Sequence, residues 1–167
     1  MKTIYLSGGI SPWRDLVKTL LGEKVDMTEV ILIDPFKASR QHAISSFTLD
    51  DLNHIMNSDV VLGYLDYHIF DGMALEFGFA AGMEIPCVLV VDGQPRVPSM
   101  MAGVSKAVYL SLEPALDYIV QRIFPEIDKK HADDQWFKDL FAEDRKSIRE
   151  RLDVLENKVS QLLPDLN

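Results

Sequence analysis

Two carboxylates at the start of one predicted helix are the first candidates for chemistry in this sequence. Residues 70–80 read Phe-Asp-Gly-Met-Ala-Leu-Glu-Phe-Gly-Phe-Ala and follow a strongly apolar segment. Asp71 and Gly72 stand at the entrance of the helix, and Glu76 lies in its first turns. A helix N-terminus favours negative charge by about 0.3–1 kcal/mol. We therefore expect Glu76 to be ionised at neutral pH, which suits a nucleophile.

Four further groups of residues could contact a ligand, and each also has a simpler structural explanation. Gly8 and Gly9 follow the first predicted strand, where they form either a ligand-binding loop or a plain tight turn. Asp50 and Asp51 lie near the start of a predicted helix, where compensation of the helix dipole is the favoured interpretation. Met101 either lines an apolar pocket or fills a gap in the core. Asp66 and His68 flank another loop, and a lone loop histidine is more often solvated than catalytic.

Composition and missing motifs exclude several classes of function. The 167 residues are 47% apolar and carry a formal net charge of -9, which disfavours nucleic-acid binding. Small anions remain compatible, because backbone N–H groups can bind phosphate locally. No cysteine–histidine cluster has zinc spacing, and the dinucleotide fingerprint, the phosphate-binding P-loop and the serine nucleophile elbow are absent. We therefore expect no metal and no cofactor.

The single cysteine and the lack of a membrane segment set the expected environment. Cys87 lies in an apolar run and is expected to be a buried small hydrophobic residue. The N-terminal residues lack the apolar length of a signal peptide, and no segment is long enough to span a bilayer. We expect a cytoplasmic protein that does not bind membranes.

Alternating apolar runs and helical patterns predict an α/β fold. Nearly continuous hydrophobic runs, typical of a parallel sheet covered on both faces, occur at residues 3–7, 29–33, 60–65, 86–91 and 107–110. Helices are predicted at residues 12–21, with Ser11 as N-cap and Pro12 first in the helix, and at 48–57, 72–83 and 113–124. The expected architecture is an open five-stranded parallel sheet with flanking helices, of the Rossmann-like or flavodoxin-like kind. Ligands bind such sheets at the carboxyl ends of the strands.

The sequence divides into an α/β domain at residues 1–125 and a helical extension at 126–167. Residues 129–134 are polar and indicate a linker or a helix start, and one long charged helix is predicted for residues 136–163. Its apolar residues form a short heptad seam of about two heptads. These residues are Ile148, Leu152, Leu155, Val159 and Leu162. The helix either joins subunits, which we favour, or packs on its own domain.

Taken together, these pieces resemble the nucleoside 2-deoxyribosyltransferase family, including the related nucleoside 5'-monophosphate N-glycosidases. The likeness covers most of residues 1–120. Its pieces are Lys2-Thr3-Ile4-Tyr5 before a glycine-containing loop, Asp51-Leu52-Asn53, the run Asn-Ser-Asp-Val-Val-Leu-Gly at 57–63, Asp-Gly-x-x-x-Glu-x-Gly-x-Ala at 71–80, and Ser-Met-Met-Ala-Gly-Val-Ser at 99–105.

The resemblance implies a role for each matching residue. Glu76 would be the nucleophile that attacks the anomeric carbon of a 2'-deoxynucleoside, and Tyr5 would hydrogen-bond and orient it. Asp51 and Asp71 would hold or protonate the departing base, and Met101 would line the pocket. The resemblance also implies a homo-oligomer with shared active sites.

Two departures from the family pattern affect the expected reaction. Asp71 stands five residues before Glu76, whereas the family spacing is six. Ser99 stands where the transferases have an asparagine that a neighbouring subunit donates to the sugar 5'-hydroxyl. A serine is closer to the N-glycosidases, where hydroxyl groups contact the nucleotide phosphate.

Three functions are consistent with these residues. The leading one is transfer of deoxyribose from a nucleoside to a free nucleobase through a covalent Glu76 intermediate. The second is hydrolysis of a nucleoside 5'-monophosphate, with water as the acceptor. The third is nucleotide binding without turnover.

Overall fold

The computed structural model describes residues 1–9, 12–40, 43–66, 71–93 and 97–133, and these residues form a five-stranded parallel sheet flanked by helices. The strands are β1 (Lys2–Gly8), β2 (Val30–Ile33), β3 (Val60–Leu65), β4 (Cys87–Val91) and β5 (Ala107–Tyr109). Their order is β2-β1-β3-β4-β5, and every neighbouring pair is parallel. The predicted open α/β fold is confirmed.

Helices connect the strands and cover the sheet. They are α1 (Trp13–Gly22), α2 (Pro35–Ala38), α3 (Ile44–Met56), α4 (Asp71–Gly82), α5 (Ser99–Val104), α6 (Leu112–Tyr118) and α7 (Phe124–Asp133). A 3₁₀ turn (Met27–Glu29) precedes β2, and a π-helical segment (Ile119–Ile123) joins α6 to α7. None of the helices in the described ranges has both the length and the apolar character that crossing a bilayer requires.

Alternating strand residues divide the core between the two faces of the sheet. Ile4 and Leu6 of β1 pack with α1, α6 and α7 in one apolar cluster. Tyr5 points to the opposite face and joins a second cluster with residues of α3, α4 and α5. Successive side chains of a strand point to opposite faces, so a strand buried on both sides is apolar throughout. Only the second face carries the predicted catalytic residues.

A glycine in β3 lets α4 approach the sheet closely. A Cβ atom at Gly63 would lie 2.4 Å from Cζ of Phe77, so the Phe77 ring occupies the space that any other side chain would need. Phe77 is fully buried and directly follows Glu76. The packing of the Phe77 ring against Gly63 therefore fixes the position of Glu76 relative to the strands.

Several predicted helix bounds differ from the structure. Helix α1 begins at Trp13 with Pro12 at its N-cap, not within the helix, and Ser11 lies outside the described residues. Helix α3 begins at Ile44, four residues before the predicted start, because apolar Ile44 and Phe47 continue the helical pattern toward the N-terminus. Short helices α2 and α5 were not predicted, since segments of four and six residues show no periodicity.

The chain beyond Phe124 is helical where the structure describes it. Helix α7 runs through Pro125 to Asp133, so the linker interpretation of residues 129–133 is wrong. The predicted helix at 136–163 and its apolar seam lie outside the described residues. The division after residue 125 falls inside a helix, and a separate extension stays a prediction. Cys87 is buried with a free thiol, and the cytoplasmic setting also stays a prediction.

Candidate active site

The candidate site lies at the carboxyl end of β1, where the sheet order changes direction. From β1 the chain passes to β2 on one side, and β3 lies on the other side. Helices that leave in opposite directions open a crevice at such a switch point, which is where open α/β sheets bind ligands. Tyr5 and Ser7 stand on the same face of β1 at its carboxyl end, and Glu76 reaches them from α4. The site therefore combines a central strand with the helix that follows its neighbour.

Both carboxylate oxygens of Glu76 accept a hydrogen bond from β1. The hydroxyl of Tyr5 donates to Oε1 at 2.7 Å, and the hydroxyl of Ser7 donates to Oε2. A carboxylate held at both oxygens has a fixed orientation, because rotation about its terminal bond would break both contacts. The tyrosine contact is the one that the sequence resemblance implied. The serine contact was not anticipated.

Burial dominates the electrostatics of Glu76. Desolvation raises its pKa to about 7, although the hydrogen bonds from Ser7 and Tyr5 act in the opposite direction. The charge of Asp51 raises the pKa further, and that of Arg14 lowers it. This corrects the expectation that a helix N-terminus keeps Glu76 ionised, because burial of the charged form outweighs a dipole contribution of at most about 1 kcal/mol. Glu76 instead changes its charge near neutral pH.

Tyr5 is a permanent hydrogen-bond donor in this setting. Its side chain is fully buried, and burial together with the nearby charge of Glu76 raises its pKa far above the ordinary value. A phenol that does not ionise keeps its proton available for the carboxylate. Ser7 is also fully buried, so water does not compete with its hydroxyl. The two donors thus remain in place whether or not Glu76 is charged.

Asp51 lies close to Glu76 but belongs to a different element. It is buried in the middle of α3, seven residues after the helix begins, so the expected helix-dipole role at an N-terminus is wrong. Ser39, the C-cap residue directly after α2, donates its hydroxyl to Oδ1 of Asp51 at 2.5 Å. Burial raises the pKa of Asp51, whereas the Ser39 hydrogen bond and the charge of His54 lower it. Asp50 points elsewhere and pairs with Arg40.

A buried arginine that the sequence did not single out holds the glycine loop. The guanidinium of Arg14 donates to the backbone carbonyls of Leu6, Gly8 and Gly9, the last two at 2.8 and 2.6 Å. It also pairs with Asp34 at 2.9 Å. Burial lowers the pKa of Arg14, and the surrounding acids oppose that change. A fork of five donors suits this task, since it can satisfy several acceptors at once.

In the described part of the glycine loop, the carbonyls of Gly8 and Gly9 are directed at Arg14. Gly8 has a φ of 144°, and a Cβ atom there would lie 2.6 Å from the carbonyl oxygen of Tyr64. Only glycine fits this close approach of two backbones. Contact of Gly8 or Gly9 with a ligand stays a prediction.

Within the described residues, no hydrogen bond joins Glu76 to Asp71, Ser99 or Met101. Asp71 is exposed at the first described residue of α4, more than one helical turn from Glu76. Ser99 is exposed at the first residue of α5. Met101 is buried in the apolar cluster that contains Tyr5, which favours its reading as a core residue. His68 lies outside the described residues, and the functional roles of the other three stay predictions.

Four polar residues near Glu76 and Asp51 were not predicted from the sequence to lie there. They are Ser7, Arg14, Ser39 and His54. A serine two residues after Tyr5 on a strand shares its face, so the spacing of Ser7 was a usable signal. The partners of Arg14 and Ser39 lie in loops and short helices whose positions depend on the tertiary structure. No sequence signal identified these two residues.

Comparisons with known proteins identify solved structures that share the fold. No family model and no curated protein matches the sequence. A conserved protein from Enterococcus faecalis matches with a TM-score of 0.62 at 19% identity, over 73% of this chain and 99% of its own. A 2-deoxyribosyltransferase from Bacillus psychrosaccharolyticus matches with a TM-score of 0.58 at 17% identity, over 72% of this chain and 95% of its own. A CMP N-glycosidase from Clostridium botulinum matches with a TM-score of 0.46 at 18% identity, over 74% of this chain and 99% of its own.

The likenesses to the Enterococcus and Bacillus structures establish the fold. The chain has the open α/β fold of the Bacillus 2-deoxyribosyltransferase, and the resemblance inferred from the sequence is confirmed at that level. Identities below one in five do not carry the reaction from one protein to another. The activity must be argued from the residues of this chain.

Proposed function

We propose that this protein is an enzyme that cleaves the N-glycosidic bond of a 2'-deoxynucleoside and transfers the sugar to another nucleobase. One observation carries the proposal: a partly buried glutamate at the carboxyl end of the central strands, held at both oxygens by Tyr5 and Ser7. Such a carboxylate is oriented and poorly solvated, which are the properties of a nucleophile that attacks carbon. The shared fold with a 2-deoxyribosyltransferase supports the same reaction class.

In the proposed first step, ionised Glu76 attacks the anomeric carbon as the bond to the base breaks. Positive charge develops on the sugar, and the adjacent carboxylate stabilises it before it forms the covalent ester. The pKa of about 7 means that a substantial fraction of Glu76 is ionised at neutral pH. The second step reverses the first, with a new base as the attacking group, so the sugar keeps its original anomeric configuration.

Asp51 is the proposed acid for the departing base. A base leaves more readily when it is protonated, and the donor must hold its proton near neutral pH. Burial raises the pKa of Asp51 in the required direction. Its position close to Glu76, on a different helix, separates the acid from the nucleophile. Asp71 is exposed on the same helix as Glu76 and is proposed only to contact the base.

Base exchange tests the proposal directly. The protein is incubated with 2'-deoxyinosine and free adenine, and 2'-deoxyadenosine is followed by chromatography. We expect exchange by the native protein, a sugar adduct on Glu76 by intact-protein mass spectrometry, and a loss of at least about a thousandfold in Glu76→Ala. Glu84→Gln removes an exposed carboxylate just beyond α4 and is the matched control, with activity close to native. Full activity in Glu76→Ala would refute the mechanism.

Hydrolysis of a nucleoside 5'-monophosphate is the second candidate. It is supported by Ser99, whose side chain is exposed and therefore accessible to a phosphate or a sugar hydroxyl. Release of free base from a monophosphate without any acceptor base would favour this reaction over transfer. Faster turnover of nucleosides than of monophosphates would exclude it. Calorimetric binding of a nucleotide with no base release over hours would instead favour a non-catalytic binding protein.

The proposal includes a homo-oligomer. Leu75 of α4 is 53% exposed and Met100 of α5 is 81% exposed, although these two helices pack against each other. Exposed apolar side chains on neighbouring helices are typical of a surface that another protein covers. Sedimentation velocity measures the assembly state, and a monomer at assay concentrations would contradict this part of the proposal.

A further inference from the structure

A chain of three polar side chains leads away from the proposed acid. Ser39 Oγ lies 2.5 Å from Oδ1 of Asp51 and 3.2 Å from Nδ1 of His54. Asp51 and Ser39 are buried, whereas His54 is only partly buried. The histidine stands three residues after the aspartate on α3, so both side chains lie on one face of the helix. The chain therefore runs from the interior of the site toward the protein surface.

This geometry accommodates two arrangements of the same protons. In one arrangement, Nδ1–H of an imidazolium donates to Ser39 Oγ, and the serine hydroxyl donates to the Asp51 carboxylate. In the other, the Asp51 carboxylic acid donates to Ser39 Oγ, and the hydroxyl donates to Nδ1 of a neutral imidazole. A hydroxyl can donate one hydrogen bond while accepting another, so both arrangements are fully bonded. No heavy atom has to move between them.

We infer that Ser39 and His54 form a proton relay that supplies Asp51 with the proton it delivers to the departing base. The relay rests on the proposed function. In the forward direction, the N–H bond at Nδ1 breaks as a new O–H bond forms at Ser39. The original serine O–H bond breaks as a new one forms at Asp51 Oδ1. The imidazolium becomes neutral and the carboxylate becomes a carboxylic acid, so the net charge is unchanged.

Charged and titratable groups surround Asp51 on several elements. The charge of Asp50 on α3 opposes ionisation of Asp51, whereas the charges of His54 on α3 and Arg14 on α1 favour it. The charge of Asp51 in turn raises the pKa of Glu76 on α4. Tyr5 of β1 also interacts with the charge of Asp51, but it stays protonated and donates its hydrogen bond to Glu76. The charge of Asp50 is itself engaged by Arg40. His54 is thus the titratable group that is linked to Asp51 through a hydroxyl and is also open to solvent.

The relay makes a prediction that depends on the leaving group. 2'-Deoxyinosine must lose a base that needs a proton. In the 7-methyl derivative, the attached base already carries a positive charge. This base leaves as a neutral molecule when the glycosidic bond breaks, so no acid is needed. Removal of the relay should therefore slow the first substrate and spare the second. General acid catalysis contributes typically about 10²–10⁴-fold, so we expect Ser39→Ala and His54→Asn to lower kcat/KM for 2'-deoxyinosine at least about 30-fold. The change on the methylated substrate should be below about threefold.

Two further variants separate the relay from a structural role. Ser39→Thr keeps the hydroxyl and should restore activity on 2'-deoxyinosine. Ser58→Ala is the matched control, because it removes another buried hydroxyl that contacts His54, but at the backbone carbonyl. It should affect both substrates equally. His54→Asn keeps an N–H donor near the position of Nδ1 but cannot pass a proton through the ring.

The outcomes separate failure of the relay from failure of the proposed function. Equal losses on both substrates in Ser39→Ala, or no loss on 2'-deoxyinosine, overturn the relay while the function stands. Failure of the native protein to cleave either substrate overturns the proposed function and the relay together. A selective loss on 2'-deoxyinosine that Ser39→Thr reverses supports both.

Discussion

Replacement of Glu76 by glutamine should stabilise the folded protein, and the gain should grow with pH. Burial raises the pKa of Glu76 from 4.5 to about 7. A carboxylate whose folded-state pKa is raised favours folding fully below its unfolded pKa, and that contribution is lost as the pH rises through the folded pKa. One pKa unit corresponds to about 1.4 kcal/mol, so ionised Glu76 lowers the free energy of unfolding by about 3 kcal/mol at about pH 8. Glutamine reproduces the neutral acid and avoids this cost.

Urea unfolding of the native protein and Glu76→Gln measures the effect. At about pH 8 the variant should be more stable by about 3 kcal/mol, and at about pH 4.5 the two proteins should agree within about 0.5 kcal/mol. Because every other titrating group is common to both proteins, the difference isolates Glu76. Glu84→Gln should show no such pH dependence, since Glu84 is exposed. A variant that is less stable at high pH, or a difference that does not change with pH, would refute the assigned electrostatics of the site.

Three other variants test residues that hold the site in place. Ser7→Ala removes a hydrogen bond to the charged Glu76 carboxylate that is worth about 1.5–3 kcal/mol. The acidic limb of the profile of kcat/KM against pH should therefore move up by about 1–2 pH units, and activity should recover at high pH. An unchanged acidic limb would contradict this. Arg14→Lys cannot satisfy the three backbone carbonyls that the guanidinium contacts. Urea unfolding should therefore show a loss of stability of about 2–4 kcal/mol. An unchanged unfolding midpoint would show that the glycine loop does not need the guanidinium. Gly63→Ala places a methyl group against the Phe77 ring and should lower the free energy of unfolding by about 1–3 kcal/mol. Combining it with Phe77→Leu should recover part of that loss. Additive effects of the two substitutions would contradict the predicted clash.

The strands were predictable from the sequence because their burial is expressed in composition. Each of the five predicted strands is present, with its bounds shifted by at most one residue. Strands covered on both faces must be apolar along their whole length, which leaves little ambiguity. The start of α3 and the short helices α2 and α5 were less predictable. Their ends depend on contacts with other elements, such as Ser39 at the end of α2 with Asp51 of α3.

The candidate site was only partly readable before the fold was known. The family resemblance placed Tyr5 beside Glu76, and the structure joins them by a hydrogen bond. Asp51 was expected at a helix start and instead lies buried within α3. No role was predicted for Arg14, although its side chain donates hydrogen bonds to the carbonyls of Gly8 and Gly9. Long-range partners of this kind have no periodic signal in a single sequence.

The sequence by itself determined the parallel sheet, the strand that carries Tyr5 and the helix that carries Glu76. These follow from local hydrophobic patterns, which each segment carries independently of the others. The tertiary structure alone decided the chemical state of the glutamate. Its pKa depends on how much water the packed helices exclude and on which donors reach its oxygens. A helix terminus acting alone would keep Glu76 ionised, but the packing of α4 against the sheet brings its pKa to about 7, where a carboxylate can change charge under physiological conditions.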